Sequence, residues 1–147
     1  MEFGWINFLG LIIIVLIMIP NIIFAIKTDV TNEKKRFPGS LIICETIGRL
    51  CCIVFMIVPV GMEEFSFRSV SEFVIYILGN IFLVCAYYVF WILYVKNRNM
   101  NHAMALAIIP IIIFCLSGIL LRHFCLIIMA VVFGAGHIVI TYQSHRD

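Results

Sequence analysis

Residues 4–26 read GWINFLGLIIIVLIMIPNIIFAI, an apolar run that few polar side chains interrupt. A bilayer hydrocarbon core about 30 Å thick needs roughly 20 apolar residues in helical conformation. The run therefore predicts a helix that crosses a membrane. Its first residues carry no positive charge, and no small-residue cleavage pattern precedes Lys27. Because a secretory signal peptide needs both features, we expect this helix to be retained.

The composition of the whole chain agrees with this stretch. Apolar residues make up 64% of the 147 positions and charged residues 12%, whereas soluble domains average roughly 45–50% and about 25%. A soluble protein of this size could not bury so much apolar surface in one core. The net charge of +2 and the lack of a long basic run exclude an obvious nucleic-acid surface.

Four further apolar stretches have the length of a membrane span, and polar segments separate them. The prediction is an all-α integral membrane bundle of about five transmembrane helices, forming a single domain over residues 1–147. The predicted spans cover about residues 4–26, 41–60, 73–95, 103–120 and 124–142. The boundary between the last two spans is the least distinct, since an apolar hairpin entering one leaflet would leave a similar pattern. Each half is long enough to cross, which favours two spans.

The distribution of lysine and arginine predicts the orientation, because cytoplasmic loops are enriched in both. With the N-terminus outside, seven basic residues fall on the cytoplasmic side: Lys27, Lys34, Lys35, Arg36, Lys96, Arg98 and Arg146. Arg68 and Arg122 fall outside, and Arg49 lies within a span. We therefore predict an N-out, C-in topology.

The six cysteines lie in or beside apolar runs and form no CxxC pair. Cysteine behaves as a small hydrophobic residue in such positions, so buried reduced thiols are expected. The four histidines show no metal-ligand spacing. The sequence therefore indicates neither a metal nor any other cofactor.

Glu45 and Arg49 are the polar residues least compatible with lipid. They are four positions apart, which places them on one helix face with the acidic residue first. Arg49 lies about 12 Å along the helix from Leu41. An unpaired charge at the centre of a span costs on the order of 2.5–3.5 kcal/mol, so both groups are expected to face protein. A structural ion pair and a ligand- or proton-handling site are both consistent with this pattern.

Three other spans add polar groups at a similar predicted depth. His137 follows a small-xxx-small pattern, Ala130 to Gly134, that lets helices approach closely, and it is expected to point toward the same contact. Asn21 follows Pro20, which frees a backbone carbonyl one turn earlier, and Tyr87 offers a hydroxyl. Purely architectural roles remain open for all three. Their shared depth predicts one polar pocket in the cytoplasmic half, with Glu45, Arg49, His137, Asn21 and Tyr87 as candidate ligand-binding or proton-handling residues.

Three segments carry a resemblance, namely PNIIFAIK at residues 20–27, ETIGR at 45–49 and GHIVITY at 136–142. With these motifs, of the form PNIIxAIK, ExIGR and GHIxITY, the chain resembles a group of small bacterial polytopic membrane proteins. The similarity extends over the whole chain. It implies a multi-pass protein of the bacterial plasma membrane and implies nothing about chemistry. Tryptophan-rich porphyrin-binding sensory proteins share the helix number, but their WYxxLxKPxWxPP-type signature is absent here.

Three functions are consistent with these patterns. The preferred one is binding or proton-coupled transport of a small polar or anionic solute, with Glu45 as proton acceptor, Arg49 as counter-ion or anion anchor and His137 as a second titrating group. The alternative is an accessory membrane subunit whose polar cluster only specifies helix packing. An intramembrane enzyme acting on a lipid has less support, because no nucleophile motif accompanies the carboxylate and the histidine. The expected partners are the bilayer, a solute, and a second copy or larger membrane complex.

Overall fold

A computed structural model describes residues 2–27, 37–61 and 65–146. Five helices account for most of this part of the chain: α1 (Phe8–Lys27), α2 (Gly39–Ile57), α3 (Val70–Lys96), α4 (Met100–Leu120) and α5 (Phe124–Arg146). Each is long and apolar enough to cross a membrane. The predicted all-α bundle of five spans is confirmed.

The first helix begins four residues later than predicted. Residues Glu2–Gly4 form a short strand, β1, that pairs antiparallel with β2 (Phe65–Ser66). Asn7 then begins the helix, because its Oδ1 accepts a hydrogen bond of 3.0 Å from the backbone N–H of Gly10. Local capping therefore sets this boundary, and hydropathy alone could not locate it.

The other helix ends also follow local chemistry. Helix α2 ends at Ile57 rather than residue 60, because Val58 precedes Pro59 and takes an extended conformation. Helix α3 begins at Val70, where the Ser69 side chain accepts a hydrogen bond of 3.2 Å from the backbone N–H of Glu72. Residues 62–64, between α2 and β2, lie outside the described residues.

Helices α4 and α5 are both complete, with 21 and 23 residues. A tight turn joins them, in which Arg122 adopts a left-handed backbone conformation with φ of 54°. His123 is buried behind this turn, and its Nε2 lies 2.6 Å from the carbonyl oxygen of Val60. Each of the two helices therefore has the length of a full membrane span, as predicted, and not that of one arm of a hairpin in a single leaflet.

The helices close into a ring in the order α1, α3, α4, α5, α2. Helix α5 packs against α2 and α4, α4 packs against α3, and α1 packs against α3 and α2. Large apolar side chains on the outside of the ring are exposed, including Phe82 at 71% and Val95 at 67%. Such an apolar exterior is what a bilayer requires, because lipid rather than water surrounds it.

Basic residues mark one end of the bundle. Lys27, Lys96 and Arg146 stand at the ends of α1, α3 and α5, and the guanidinium of Arg98 lies 5.6 Å from the ring centroid of Phe24. We call this the basic end. The strands β1 and β2 lie at the opposite end, together with the loop that joins α4 to α5.

The half of the bundle near the strands holds a buried polar cluster. The Asn7 amide donates a hydrogen bond of 3.2 Å to the Tyr76 hydroxyl, and the Asn80 amide donates one of 2.8 Å to the Tyr76 carbonyl. Ser117 lies in the same interior and is completely buried. The part that Tyr76 plays in this cluster emerges only from the structure.

Candidate functional site

A cavity of about 360 Å³ lies within the ring and extends toward the basic end. Residues of all five helices line it. The five candidates from the sequence all lie in its wall: Asn21, Glu45, Arg49, Tyr87 and His137. Side chains from four helices that the sequence placed at one depth therefore surround one space.

Glu45 is the most deeply buried charged group of the wall. The residue is 1% exposed, and its Oε1 accepts a hydrogen bond from Nη2 of Arg49 one helical turn away. Its second oxygen, Oε2, is buried and has no hydrogen-bond partner among the described residues. Burial of a carboxylate with one unpaired oxygen is costly, so this group is a candidate for proton or ligand chemistry.

His137 reaches the same carboxylate from the facing helix. Its Nδ1 lies 3.1 Å from Oε1 of Glu45, so this oxygen is in hydrogen-bond contact with both the arginine and the histidine. The ring of Phe133 stacks on His137 with centroids 4.9 Å apart, and Cζ of Arg49 lies 5.8 Å from the same Phe133 centroid. The aromatic ring thus holds the arginine and histidine side by side.

Two glycines permit this close approach of α2 and α5. A Cβ atom on Gly48 would lie 2.8 Å from the backbone nitrogen of Phe133, and one on Gly136 would lie 3.1 Å from Cβ of Glu45. The expectation that Gly134 and His137 share one contact is wrong, because Gly134 packs against Ile111 of α4. Gly134 and Gly136 are two positions apart on α5 and therefore face different neighbours, Ile111 and Glu45.

Asn21 and Tyr87 form the opposite wall. The Asn21 amide donates one hydrogen bond of 2.8 Å to the Tyr87 hydroxyl and another of 3.0 Å to the carbonyl of Ile17. Tyr87 is 1% exposed. The bond to Tyr87 joins α1 to α3, and the bond to Ile17 stays within α1. The amide thus uses both of its N–H groups.

Pro20, which lies inside α1, has a structural complement on α3. Because proline lacks an N–H group, the carbonyl of Leu16 loses its helical partner. The Tyr88 hydroxyl donates a hydrogen bond of 2.8 Å to this carbonyl. The Tyr88 side chain of α3 is therefore joined to the backbone of α1.

Several polar residues of the wall were missed by sequence reasoning. Nε2 of His145 lies 3.0 Å from the Tyr94 hydroxyl, and its Nδ1 lies 3.0 Å from the carbonyl of Thr141. Since a carbonyl can only accept, Nδ1 carries the proton and the Tyr94 hydroxyl donates to Nε2. The signal was available, because His137, Thr141 and His145 recur every four residues and so share one helix face.

The charges of the wall balance. Among the described residues that line the cavity, Glu45 and Arg49 are the two side chains of opposite formal charge, and His137 and His145 add two titratable rings. In the described part of the chain, no group of three or more histidine, cysteine, aspartate or glutamate side chains is arranged to hold a metal ion. The chemistry that these residues can perform is hydrogen bonding, charge pairing and proton exchange.

Comparison with known proteins returned no match to a family model, to a curated protein or to a solved structure. The resemblance to small bacterial membrane proteins therefore stays a prediction that rests on the PNIIxAIK, ExIGR and GHIxITY segments. The cavity and its wall are therefore the features of this chain that bear on its function.

Proposed function

We propose that this multi-pass membrane protein binds a small polar solute in the cavity between its five helices. The observation that carries the proposal is the position of Glu45, Arg49 and His137 around one space of about 360 Å³. Ligand pockets of proteins usually measure roughly 300–1,000 Å³ and combine apolar walls with a few converging polar groups. Ionisable residues within membrane spans commonly mark solute or proton pathways.

The proposed orientation places the basic end in the cytoplasm of a bacterial cell. Lys27, Lys96, Arg98 and Arg146 support it, because they all belong to that end, whereas Arg68 and Arg122 belong to the other. The predicted cytoplasmic residues Lys34, Lys35 and Arg36 lie outside the described residues. In this orientation the cavity belongs to the cytoplasmic half, and the solute enters from inside the cell.

Coupling to protons follows from the same three residues. Glu45 is the proposed proton acceptor because its Oε2 is buried without a partner among the described side chains and backbone. His137 shares the other oxygen of Glu45 and is the second titrating group. Uptake of a proton from solution by either group, or its release, would change the charge of the wall, and such a change is the physical basis for coupling solute movement to a proton gradient.

The experiment is solute binding and flux with reconstituted protein, using Glu45→Gln and His137→Ala beside the natural protein. We expect both variants to lose binding or proton-dependent flux at least tenfold. Matched controls are Glu72→Gln, which removes an acidic group paired with Arg122 at the far end, and His102→Ala, which removes a histidine outside the cavity wall. Unchanged binding and flux in both wall variants would contradict the proposal.

A structural role in a larger membrane assembly is the second candidate. It is favoured by the tight crossing at Gly136, where an added Cβ would lie 3.1 Å from Cβ of Glu45, so that the contact between Glu45 and His137 also holds two helices in register. Under this alternative, a second copy or another membrane protein covers the apolar exterior. Recovery of a stoichiometric partner, together with a Glu45→Gln variant that unfolds more easily yet shows no altered solute handling, would support it.

A further inference from the structure

The three charged and titratable groups of the cluster differ in how they meet the cavity. The side chain of Glu45 is 2% exposed, whereas those of Arg49 and His137 are 36% and 26% exposed. The carboxylate therefore lies behind the two nitrogen-bearing groups and orients them through its Oε1. A solute in the cavity meets arginine and histidine first. The arginine presents N–H donors, and the histidine presents a donor at Nε2 once that nitrogen is protonated.

Arg49 keeps most of its hydrogen-bonding capacity for such a solute. A guanidinium has five N–H donors, and the structure pairs its Nη2 with Glu45 while giving its other nitrogens no partner within the described residues. Arginine binds carboxylates well because two of its N–H groups match the two oxygens. The neighbouring wall is aromatic and aliphatic, which suits an apolar body attached to the anion: Phe24, Trp91, Phe114, Phe133 and Ile140.

Charge balance then requires a proton. Before binding, the described residues of the wall carry one negative and one positive side chain, so an anion alone would leave an uncompensated negative charge among them within the membrane. A proton on the His137 ring removes that imbalance. Because an ionised Glu45 carboxylate can only accept, the Nδ1 that faces it carries the proton in the neutral ring. The added proton therefore goes to Nε2, and the cytoplasmic solution supplies it.

The titratable groups around His137 allow this assignment. Helix α2 contributes Glu45 and Arg49 to the wall, α3 contributes Tyr87 and Tyr94, and α5 itself contributes His145. The lining residues of α1 and α4 include no titratable side chain in the described part of the chain. His145 is separated from the cluster by two helical turns and is bonded to Tyr94 and Thr141. His137 is therefore the histidine that responds to an anion at Arg49.

We propose that the solute is a small organic carboxylate, bound at Arg49 together with one proton on His137. This inference rests on the proposed function, whose site it shares, and adds the ligand class and the stoichiometry. The expected consequence is an affinity that rises as the pH falls, by up to tenfold per pH unit when one proton is linked to binding.

The test uses detergent-purified protein and isothermal titration. The probes are acetate, pentanoate and phenylacetate, each compared with its amide and with the amine of the same carbon skeleton. We expect at least one carboxylate to bind ten times more tightly than its amide and amine. Repeating the titration in two buffers of different ionisation enthalpy is expected to show close to one proton taken up per carboxylate. An amide or amine that binds as tightly, or affinity independent of pH, would overturn the inference.

Four variants identify the residues responsible for binding and for proton uptake. Arg49→Gln is expected to weaken carboxylate binding at least tenfold, and His137→Gln to abolish the proton uptake. If Arg49→Gln does not fold, the double variant Glu45→Gln/Arg49→Gln removes both charges together and is expected to show the same loss. Arg122→Gln is the matched control, because this exposed arginine pairs with Glu72 at the end opposite the cavity.

The outcomes separate this inference from the proposed function. Suppose that an amide or an amine binds, that Arg49→Gln leaves this binding intact, and that Glu45→Gln and His137→Ala abolish it. This result would support the proposed solute site and contradict the inference that the solute is a carboxylate. If none of the nine probes binds and a panel of sugars and amino acids also fails to bind folded protein, both proposals fall. Carboxylate binding without proton uptake rejects the role of His137.

Discussion

The Tyr88 hydroxyl donates a hydrogen bond of 2.8 Å to the carbonyl oxygen of Leu16, the carbonyl that Pro20 leaves without a helical donor. An unsatisfied backbone carbonyl is costly inside a membrane, and here a side chain from another helix satisfies it. The proline of α1 and the attachment of α1 to α3 are thus parts of one structural feature.

Replacing Tyr88 by phenylalanine tests this attachment. Tyr88→Phe keeps the ring and removes the donor, so we expect a loss of about 0.6–1.7 kcal/mol, the range measured for hydrogen bonds between membrane helices. The measurement is reversible unfolding in mixed micelles. Tyr142→Phe is the control, since Tyr142 is 45% exposed. Equal stability of the two variants would show that the Leu16 carbonyl does not depend on Tyr88.

Gly48 is expected to tolerate no side chain. In Gly48→Ala the new Cβ would lie 2.8 Å from the backbone nitrogen of Phe133, and because backbone cannot rotate away, we expect a loss on the order of 1–3 kcal/mol. Gly79→Ala is the matched control, because its Cβ would meet the flexible Cδ2 of Leu116 at 2.9 Å. If the Gly79 variant loses as much stability as the Gly48 variant, the close crossing of α2 and α5 is not the cause.

The ion pair of the cavity is expected to respond asymmetrically to substitution. Arg49→Gln leaves the buried Glu45 carboxylate without its cation, whereas Glu45→Gln leaves an arginine whose side chain is 36% exposed. We therefore expect Arg49→Gln to destabilise more, on the order of 3 kcal/mol. The double variant is expected to lose less than the sum of the two single changes. Additive losses in a double-mutant cycle would mean that the two side chains do not interact.

The polar cluster near the strands is expected to contribute to stability and not to solute binding. Asn7→Ala removes the cap on the Gly10 N–H and the hydrogen bond to Tyr76, so we expect a loss of about 1–2 kcal/mol. Solute affinity is expected to stay within twofold of the natural protein, because Asn7 does not line the cavity. A loss of affinity in folded Asn7→Ala would extend the site into this half.

Orientation is testable with introduced cysteines at the two ends of α3. Ser71 and Asn97 are both exposed and uncharged, so replacing them leaves the basic residues that direct insertion unchanged. In intact cells a membrane-impermeant maleimide is expected to label Ser71→Cys, and to label Asn97→Cys only after permeabilisation. The natural protein is the control, because its cysteines all lie within the helices. The reverse labelling pattern would overturn the N-out, C-in topology.

Five spans and the approximate depth of the polar residues could be read from the sequence. Both depend on local quantities, because the hydropathy of about 20 consecutive residues decides whether a segment enters lipid, and a rise of 1.5 Å per residue converts position into depth. The pairing of Glu45 with Arg49 was also available, since a separation of four residues places two side chains on one face.

The tertiary structure alone decided which groups meet across helices. Glu45 and His137 are 92 positions apart, and their 3.1 Å contact depends on how α2 and α5 are rotated about their own axes. Apolar runs say little about rotation, because lipid and protein interior are similarly apolar. The glycines Gly48 and Gly136 set that rotation by allowing backbone approach. Hydropathy thus determined that helices cross the membrane, and close packing at small residues determined which polar side chains share the cavity.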